Sequence, residues 1–336
     1  MIQTDQPSIT GPVTVVIPAY NEQDGIAGVV EHTAEVLRDA GISADIIVVD
    51  DGSTDETAAA ARSAGAVVMQ HVSNRGYGAA LKTGILAARH DLIVITDADG
   101  TYPVERIPDL VARMDRFDMV IGARIGQNVH IPPMRKPAKW VLMKLANYVT
   151  KADIRDLNSG LRVFHRSAAM QYFNILPDQF SFTSTITIAM HCDRYAINYV
   201  PIDYHRRTGR SKIVAWDAAT FAALIVRIAV LFKPLRVFLP IVLLSAAYGF
   251  VKGAVDYYLN GFVSQTAILA MMGSLQILMM GLVAEAVSTR LNRLTTQPYT
   301  GVREQQYARK PGDQPRATKP AATRREVVAR GAGEHD

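Results

Sequence analysis

The stretch VITDADGTYP, from Val94 to Pro103, contains two aspartates separated by one residue. Its first two residues complete an apolar run that begins at Leu92. Four apolar residues in a row, followed by turn-forming residues, predict a buried strand that ends before Asp97. Asp97 and Asp99 are therefore both expected at the end of this strand, where the chain leaves the core. A surface turn accounts for the residue types, because Asp, Gly and Pro are common in loops. The rest of the chain has to decide whether the two charges have a further role.

Short apolar runs alternate with longer helical stretches between Val13 and about Tyr204. The predicted strands are 13–17, 45–49, 66–69, 92–96 and 119–123, and the predicted helices lie near 24–40, 55–64, 77–89 and 104–115. Parallel strands need long crossover connections, so this order predicts an α/β fold with a mostly parallel, Rossmann-like sheet and helices on both faces. Ligands bind such sheets beyond the carboxyl ends of the strands, where Asp97 and Asp99 are expected.

The composition changes after Tyr204, and the rest of the chain is expected to meet a membrane. Residues 213–233 predict an amphipathic juxtamembrane helix, centred on 216–232, that lies in the membrane interface. Residues 235–289 predict two transmembrane helices, near 235–259 and 261–284, and the second has 24 consecutive uncharged residues. Lys252 and Asp256 interrupt the first, where snorkelling accommodates them. A buried helical hairpin in a soluble fold is the alternative.

The flanks of the hairpin and the two ends of the chain give its expected orientation. Basic residues lie on both sides of the hairpin: Arg227, Lys233, Arg236, Arg290 and Arg293. By the positive-inside rule, both termini and the sheet domain face the cytoplasm of an inner (plasma) membrane. Residues 1–12 are polar, lack the apolar core of a signal peptide and are expected to be flexible. Residues 290–336, with ten basic and five acidic side chains, predict a disordered basic tail.

Four segments with reactive or glycine-rich composition follow successive predicted strands. They are IPAYNE (17–22), VVDDGSTDET (48–57), NRGYGAALKTG (74–84) and the stretch that carries Asp97 and Asp99. The third imitates a dinucleotide-binding fingerprint. Leu81, however, replaces its last glycine, and the run follows the third strand rather than the first, so nicotinamide or flavin binding is disfavoured. The single cysteine, Cys192, excludes an intramolecular disulfide and is expected to be a buried thiol.

The patterns P-x-Y-N-E, V-D-D-G-S-x-D and D-A-D, in this order and spacing, together resemble glycosyltransferase family 2. That family has the GT-A fold and includes membrane-associated polyprenyl-phosphate glycosyltransferases of the dolichyl-phosphate mannose synthase type. The resemblance implies a cytosolic catalytic domain over 13–212 and metal-dependent, inverting transfer of a hexose. The implied donor is a nucleotide-diphosphate sugar such as UDP-glucose or GDP-mannose. The implied acceptor is a polyprenyl phosphate in the bilayer. Membrane lipids are further partners, no nucleic acid is expected, and a homo-oligomer is compatible with the family.

The resemblance also implies roles for residues on the donor side. The positions expected to surround the base and ribose are Pro18, Tyr20 and Glu22. Val49 and Asp51 match the strand end that recognises the base edge, where a carboxylate accepts from a ring N–H. Asp97, Ala98 and Asp99 match the element that holds Mg²⁺ or Mn²⁺ against the diphosphate, and hard cations of this kind prefer carboxylate oxygens. Arg124 matches an arginine near the donor.

On the acceptor side, DLNSGLRVF (156–164) and HRRTGRSKI (205–213) match family segments. Asp156 matches a position with a base or orienting role, and Ser159 is expected near the acceptor phosphate. Arg206 and Lys212 match phosphate-binding residues; Arg206 is expected to act in catalysis with Asp99 and Asp156, and Lys212 to contact the donor as well. Attraction to anionic lipid is the alternative for this basic segment.

The sequence differs from the family pattern at two places, and three alternative functions have to be considered. Thr101 stands where mannose synthases have a metal-contacting glutamine, and residues 180–184 lack the acidic motif of some relatives. A processive polysaccharide synthase is disfavoured because no Arg-Trp pair occurs. Transfer to a hydroxyl-bearing membrane lipid and a non-catalytic, membrane-tethered nucleotide-sugar scaffold both remain open.

Overall fold

The computed structural model describes residues 11–125, 136–179, 181–204 and 216–295. Within these ranges, one seven-stranded sheet has the order β3-β2-β1-β4-β6-β5-β7. Its strands are β1 Val13–Ala19, β2 Ala44–Asp50, β3 Val67–Gln70, β4 Leu92–Ile95, β5 Met119–Ala123, β6 Arg162–His165 and β7 Ile197–Pro201. Strand β6 runs antiparallel to β4 and β5, and the other pairs are parallel. The predicted α/β fold with a mostly parallel sheet is confirmed.

Helices connect the strands and cover the sheet. They are α1 Ile26–Asp39, α2 Thr57–Ser63, α3 Tyr77–Ala87, a 3₁₀ turn Val104–Arg106 continued by α4 Ile107–Val111, α5 Lys136–Thr150, α6 Arg166–Gln171, α7 Phe182–Cys192, α8 Trp216–Phe232, α9 Pro234–Asn260 and α10 Gln265–Thr295. The first five strands agree with the sequence prediction to within two residues at each end. Strands β6 and β7 and helices α5 to α7 had no predicted counterpart.

Two apolar layers enclose the sheet because side chains alternate along each strand. On β1, Val16 packs in one layer with Leu81 and Ile85 of α3. Val15 and Ile17 pack in the opposite layer, against α1 and α4. A slip of one residue in β1 would move each of its side chains to the opposite face of the sheet. Because burial of each such side chain contributes about 1.5–3 kcal/mol, this burial fixes the register of β1.

The carboxyl ends of β1, β2, β4 and β5 lie along one edge of the sheet, because these strands share one direction. Strand β6 runs the opposite way, so its first residue, Arg162, lies at this same edge. The segment 156–161 that precedes β6 is thereby brought beside the residues that follow β4 and β5. We call this edge the carboxyl edge.

Helices α9 and α10 form a hairpin attached to the sheet domain through α8. Phe232 of α8 is buried in the apolar layer that contains Val16. The Ser288 hydroxyl of α10 donates to Leu231 O of α8 (2.6 Å). Two helical stretches of the hairpin, Pro234–Asn260 and Gln265–Ser288, are long and apolar enough to cross a membrane. In each of them, only 17% of an apolar segment of 18 residues is buried. The predicted two-helix hairpin is confirmed as a candidate membrane structure. The interfacial position of α8 and the orientation of the hairpin stay predictions.

Candidate active site

The loops that follow β1 and β2 are hydrogen-bonded to each other at the carboxyl edge. The Asn21 N–H donates to Ser53 Oγ (2.9 Å), and Asn21 Oδ1 accepts from the Thr54 N–H (2.9 Å). The Glu22 N–H donates to Thr57 Oγ1 (2.9 Å). Asn21 has φ +54°, a conformation that asparagine tolerates better than most residues. The loops therefore form one unit, which leaves the Tyr20 side chain 46% exposed.

The other candidate base-binding residues lie just inside this unit. Pro18 and Val49 are buried partners in the β1–β2 register. Asp51 is 3% exposed, and its carboxylate accepts from the backbone N–H groups of Arg75 (2.9 Å) and Gly76 (2.7 Å). Its Oδ1 also lies 2.6 Å from His71 Nδ1. Asp51 therefore fixes the start of α3 to the end of β2, and its recognition of a base stays a prediction.

The D-A-D element follows β4 directly, as the sequence predicted. The Asp97 Oδ1 atom accepts from the Tyr77 hydroxyl (2.9 Å), while Asp99 Oδ1 accepts from the hydroxyl (2.6 Å) and the N–H (3.1 Å) of Thr101. Ala98 is buried, whereas Asp97 and Asp99 are partly exposed. Thr101 is 1% exposed, so its hydroxyl orients Asp99 from within the fold.

Arg124, just beyond β5, pairs with Asp156 across the carboxyl edge. Its Nε donates to Asp156 Oδ2 (2.8 Å), one Nη donates to Oδ1 (2.9 Å), and its N–H also donates to Oδ2 (3.0 Å). Asp156 is 2% exposed. Burial opposes both charges, but the hydrogen bonds between them outweigh it: the pKa of Asp156 lies below its usual value and the pKa of Arg124 lies above. Both groups therefore stay ionised near neutral pH.

Ser159 is completely buried, and its hydroxyl is hydrogen-bonded within the fold. Its hydroxyl donates to Gly122 O (2.5 Å), and its own carbonyl accepts from Arg162 Nε (3.1 Å). Arg162 is also fully buried and donates to Thr183 O (3.1 Å) and Thr187 Oγ1 (2.9 Å) of α7. Ser159 thus braces the turn before β6. Its contact with an acceptor phosphate stays a prediction.

The predicted basic loop, with Arg206 and Lys212, lies outside the described residues. Tyr204, the last described residue before it, is in contact with the site: its ring centroid lies 5.4 Å from the Arg124 guanidinium carbon and 5.3 Å from the Tyr102 ring. An arginine over an aromatic face gains a cation–π attraction. Tyr204 therefore lies beside the Arg124–Asp156 pair.

The residues present fit a divalent metal bound jointly with a diphosphate. Asp97 and Asp99 carry carboxylate oxygens, the type of hard ligand that Mg²⁺ and Mn²⁺ prefer, and Mg²⁺ is commonly held by one or two carboxylates together with substrate phosphates. Within the described ranges no group of three or more His, Cys, Asp or Glu side chains could hold a metal alone. A Cβ at Gly160 would lie 2.7 Å from Asp97 Oδ1, so the glycine leaves room for this carboxylate.

Sequence reasoning missed several residues that shape the site, chiefly Tyr77, Gly160, Arg162 and Tyr204. Tyr77 belongs to the glycine-rich run, which drew attention only as an imitation of a dinucleotide site. Gly160 and Arg162 belong to the S-G-x-R part of the segment 156–164, so a signal was present, but their partners were not visible in it. The Gly160 N–H donates to the Tyr102 hydroxyl (2.7 Å), a contact between residues 58 positions apart.

Comparisons with known proteins identify the family of the chain. Residues 14–173 match the model described as glycosyl transferase family 2, and residues 233–290 match the GtrB C-terminal hairpin. A dolichyl-phosphate hexose transferase of Haloferax volcanii is 30% identical over 203 residues, which are 60% of this chain and 86% of the relative. An undecaprenyl-phosphate 4-deoxy-4-formamido-L-arabinose transferase of Klebsiella pneumoniae is 35% identical over 160 residues, which are 46% and 49%. The chain spans about half the length of several curated relatives that it matches.

Among solved structures, the fold resembles a glucosyl-3-phosphoglycerate synthase from Mycobacterium tuberculosis, in complex with Mn²⁺, UDP-glucose and phosphoglyceric acid. The TM-score is 0.53 at 22% identity, with 66% of this chain and 80% of that chain covered. This likeness concerns the fold alone. The matched domain, the matched hairpin and the Haloferax relative lead to one conclusion: the chain belongs to glycosyltransferase family 2.

Proposed function

We propose that the protein is a membrane-bound glycosyltransferase that moves a hexose from a nucleotide-diphosphate sugar to a polyprenyl phosphate. The observation that carries the proposal is the acidic pair Asp97 and Asp99 at the carboxyl edge, in a chain that continues into a GtrB-type hairpin. Two relatives support the acceptor, since their names specify dolichyl phosphate and undecaprenyl phosphate.

The chemistry is a single displacement at the anomeric carbon. A phosphate oxygen of the acceptor attacks this carbon and forms the new C–O bond. The bond from the anomeric carbon to the donor diphosphate breaks, its electron pair leaves with the nucleoside diphosphate, and the configuration inverts. A phosphate monoester is largely ionised near neutral pH, so the nucleophile needs little help from a base. Positioning and charge neutralisation supply the catalysis.

Asp97 and Asp99 are the residues that would hold Mg²⁺ or Mn²⁺. Such an ion, when bound, supplies positive charge to the leaving diphosphate. The protein's own contribution is to present the two carboxylates without the cost of ordering them during the reaction. Thr101 orients Asp99 with two hydrogen bonds, and the glycine at position 160 gives Asp97 its space.

Asp156 acts as an orienting residue in this proposal. A carboxylate that is 2% exposed, is paired with Arg124 through both oxygens and has a lowered pKa is a weak proton acceptor. Its effect is to hold Arg124, whose side chain is 23% exposed, at the edge where the donor is expected. The guanidinium has five N–H donors, and the pair uses two of them, so others can reach a phosphate oxygen.

The hairpin brings the site to an acceptor that cannot leave the bilayer. The α9 and α10 helices expose large apolar side chains along most of their length, as lipid-facing helices do. With α8 packed in the core, the carboxyl edge is held at a fixed place relative to these helices. We further propose that both termini and the sheet domain face the cytoplasm, with Arg206 and Lys212 contacting phosphate groups. A reporter fused to the carboxyl terminus tests this orientation.

The deciding experiment incubates the purified full chain and Mn²⁺ with radiolabelled UDP-glucose or GDP-mannose and one of three acceptors: a polyprenyl phosphate, the corresponding polyprenol, or diacylglycerol. Label extracted with the polyprenyl phosphate alone supports the proposal. Label in the polyprenol or diacylglycerol supports transfer to a hydroxyl. Tight binding of a donor without labelled lipid supports a scaffold. The Asp99→Ala variant is the negative control, and full transfer by metal-stripped protein would contradict the metal assignment.

A further inference from the structure

The glycine-rich run N-R-G-Y-G at the start of α3 has no place in the proposed function so far. The structure fixes this turn firmly. Gly76 has φ +106°, in the left-handed region that favours glycine, and its N–H donates to Asp51 Oδ2 (2.7 Å). The preceding Arg75 N–H donates to the other oxygen of the same carboxylate (2.9 Å). The position of the next residue, Tyr77, is therefore set by the backbone on its amino side.

The amino terminus of α3 is covered by the chain itself, so it does not offer a phosphate site in this conformation. The segment 177–179 lies against it: the Ala79 N–H donates to Asp178 O (2.9 Å), and Lys82 Nζ donates to the Asp178 carboxylate (2.7 Å). A Cβ at Gly78 would lie 2.2 Å from Pro177 O. The glycines serve this close approach of two segments, in contrast to a dinucleotide fingerprint, whose glycines admit a pyrophosphate.

The side chain of Tyr77 connects the N-R-G-Y-G run to Asp97. Its hydroxyl donates to Asp97 Oδ1 (2.9 Å) across 20 residues of sequence. The ring packs at the border of the apolar core that includes Leu81 and Ile85, so the phenol has a fixed direction.

Asp97 is confined from another direction as well. The Gly160 Cα approaches its carboxylate so closely that a Cβ there would lie within 2.7–2.9 Å of Oδ1, Oδ2 and Cγ. The Gly160 N–H is itself held by Tyr102. A hydrogen bond on one oxygen and a close backbone contact together restrict the rotation of the carboxylate. Hydrogen-bonding partners of ligating groups typically change metal affinity 10–100-fold when they are removed.

We propose that Tyr77 is a positioning residue for the metal–diphosphate site, and that the N-R-G-Y-G run belongs to this site through its tyrosine. The inference rests on the proposed function, because it assigns Asp97 to a divalent cation. Tyr77 touches neither substrate nor metal in this account. It restricts the orientation of the Asp97 carboxylate, which would hold the cation.

The test measures Mn²⁺ binding to the full-length protein by electron paramagnetic resonance of the free ion, with UDP and then GDP present. The Tyr77→Phe variant keeps the ring and removes the hydroxyl. Tyr172→Phe is the control, because Tyr172 belongs to the apolar core against which Tyr77 packs and donates to a different carboxylate, that of Asp193 (2.8 Å). We expect Tyr77→Phe to weaken Mn²⁺ binding by about tenfold and Tyr172→Phe to change it by less than twofold.

A second readout separates positioning from general damage to the fold. Nucleotide binding in the presence of EDTA and the midpoint of thermal unfolding should change by similar amounts in the two variants. Equal Mn²⁺ affinity of Tyr77→Phe and wild type would overturn the inference and leave the proposed function standing. A wild-type protein that binds no Mn²⁺ with either nucleotide would instead overturn the metal site itself, and the inference with it.

Discussion

Arg124 and Asp156, 32 residues apart in the sequence, form a two-point ion pair at the carboxyl edge, with N–O distances of 2.8 and 2.9 Å. The Tyr204 ring lies against the guanidinium of Arg124. An arginine that is held both by a carboxylate and by an aromatic face loses little further freedom when it contacts a phosphate. In the proposed function, the pair presents an already ordered arginine to the donor diphosphate.

Removal of Asp156 from this pair should lower the stability of the fold strongly and the rate of sugar transfer moderately. Asp156→Ala leaves Arg124 without its partner at a largely buried position, and breaking a buried pair in this way costs about 3–5 kcal/mol. We expect a lower midpoint of thermal unfolding. The rate of sugar transfer should fall, but less than in Asp99→Ala, which removes a proposed metal ligand.

The double variant Arg124→Met, Asp156→Leu provides the matching control. It removes both charges, so it should regain part of the lost stability while transfer stays low. Transfer at the wild-type rate by the double variant would show that Arg124 has no role in donor binding.

The Gly160→Ala substitution should disturb Asp97 through one added methyl group. Its Cβ would lie 2.7 Å from Asp97 Oδ1, closer than a real side chain tolerates, so the carboxylate has to move. We expect Mn²⁺ binding and sugar transfer to fall by at least tenfold, as for the loss of a residue that orients a ligand. The measurements are Mn²⁺ titration and a transfer assay.

Gly28→Ala is the control for this substitution, because Gly28 lies inside α1 and a Cβ there meets no atom within 4 Å. Alanine in a helix interior is more stable than glycine by about 0.5–1 kcal/mol. This variant should be as active as wild type and slightly more stable. Unchanged Mn²⁺ binding in Gly160→Ala would contradict the close packing of residue 160 on Asp97.

Deletion of residues 235–290 should separate the two substrates of the proposed reaction. The donor is soluble and its expected contacts lie in the sheet domain, whereas a long polyprenyl chain stays in the bilayer. We expect nucleotide affinity to change by less than threefold and transfer to a long-chain acceptor to fall by more than tenfold. Isothermal titration and the lipid-extraction assay measure the two quantities. Equal losses in both would argue that the hairpin supports the fold instead of access to the acceptor.

Acid should destabilise the fold through His191, which stacks on Tyr199 with its Nε2 atom 2.9 Å from the Tyr199 hydroxyl. Burial lowers the pKa of His191 from 6.5 to about 4. Between these values the unfolded state binds the proton and the folded state does not, so stability falls as the pH drops from 6.5 toward 4. The loss near pH 4.5 is about 2 kcal/mol.

Unfolding midpoints measured between pH 4.5 and 7.5 check this prediction. His191→Phe should flatten the part of the pH dependence that this residue contributes. Tyr199→Phe, which keeps the imidazole, should retain it. An unchanged slope in His191→Phe would assign the acid sensitivity to other groups.

The glycine-rich run shows how far local patterns reach. Sequence reasoning disfavoured a dinucleotide site on the grounds of Leu81 and of the run's place after the third strand. The structure adds the physical reason, since residues 177–179 cover the start of α3 and hydrogen-bond to Ala79 and Lys82. The hydrogen-bond partner of Tyr77, Asp97, lies just after β4, 20 residues away in the sequence. No periodicity in residues 74–84 points to it.

The S-G-x-R segment shows the same limit. It was recognised as a motif, but its contacts within the fold were not visible in the sequence: the Ser159 hydroxyl donates to Gly122 O, and Gly160 approaches Asp97. Both contacts depend on the direction of the strand that follows the turn, and that direction is not encoded in the turn alone.

The sequence by itself determined the parallel half of the sheet, the exit of Asp97 and Asp99 from β4, and the two apolar helices of the hairpin. These features depend on residues that are close in sequence, because hydrophobic periodicity and segment length are local properties. The tertiary structure alone decided that β6 runs antiparallel between β4 and β5, and so brought Asp156 to Arg124 and Gly160 to Asp97. Those contacts depend on strand order, which is set by burial of the whole sheet between its two layers of helices.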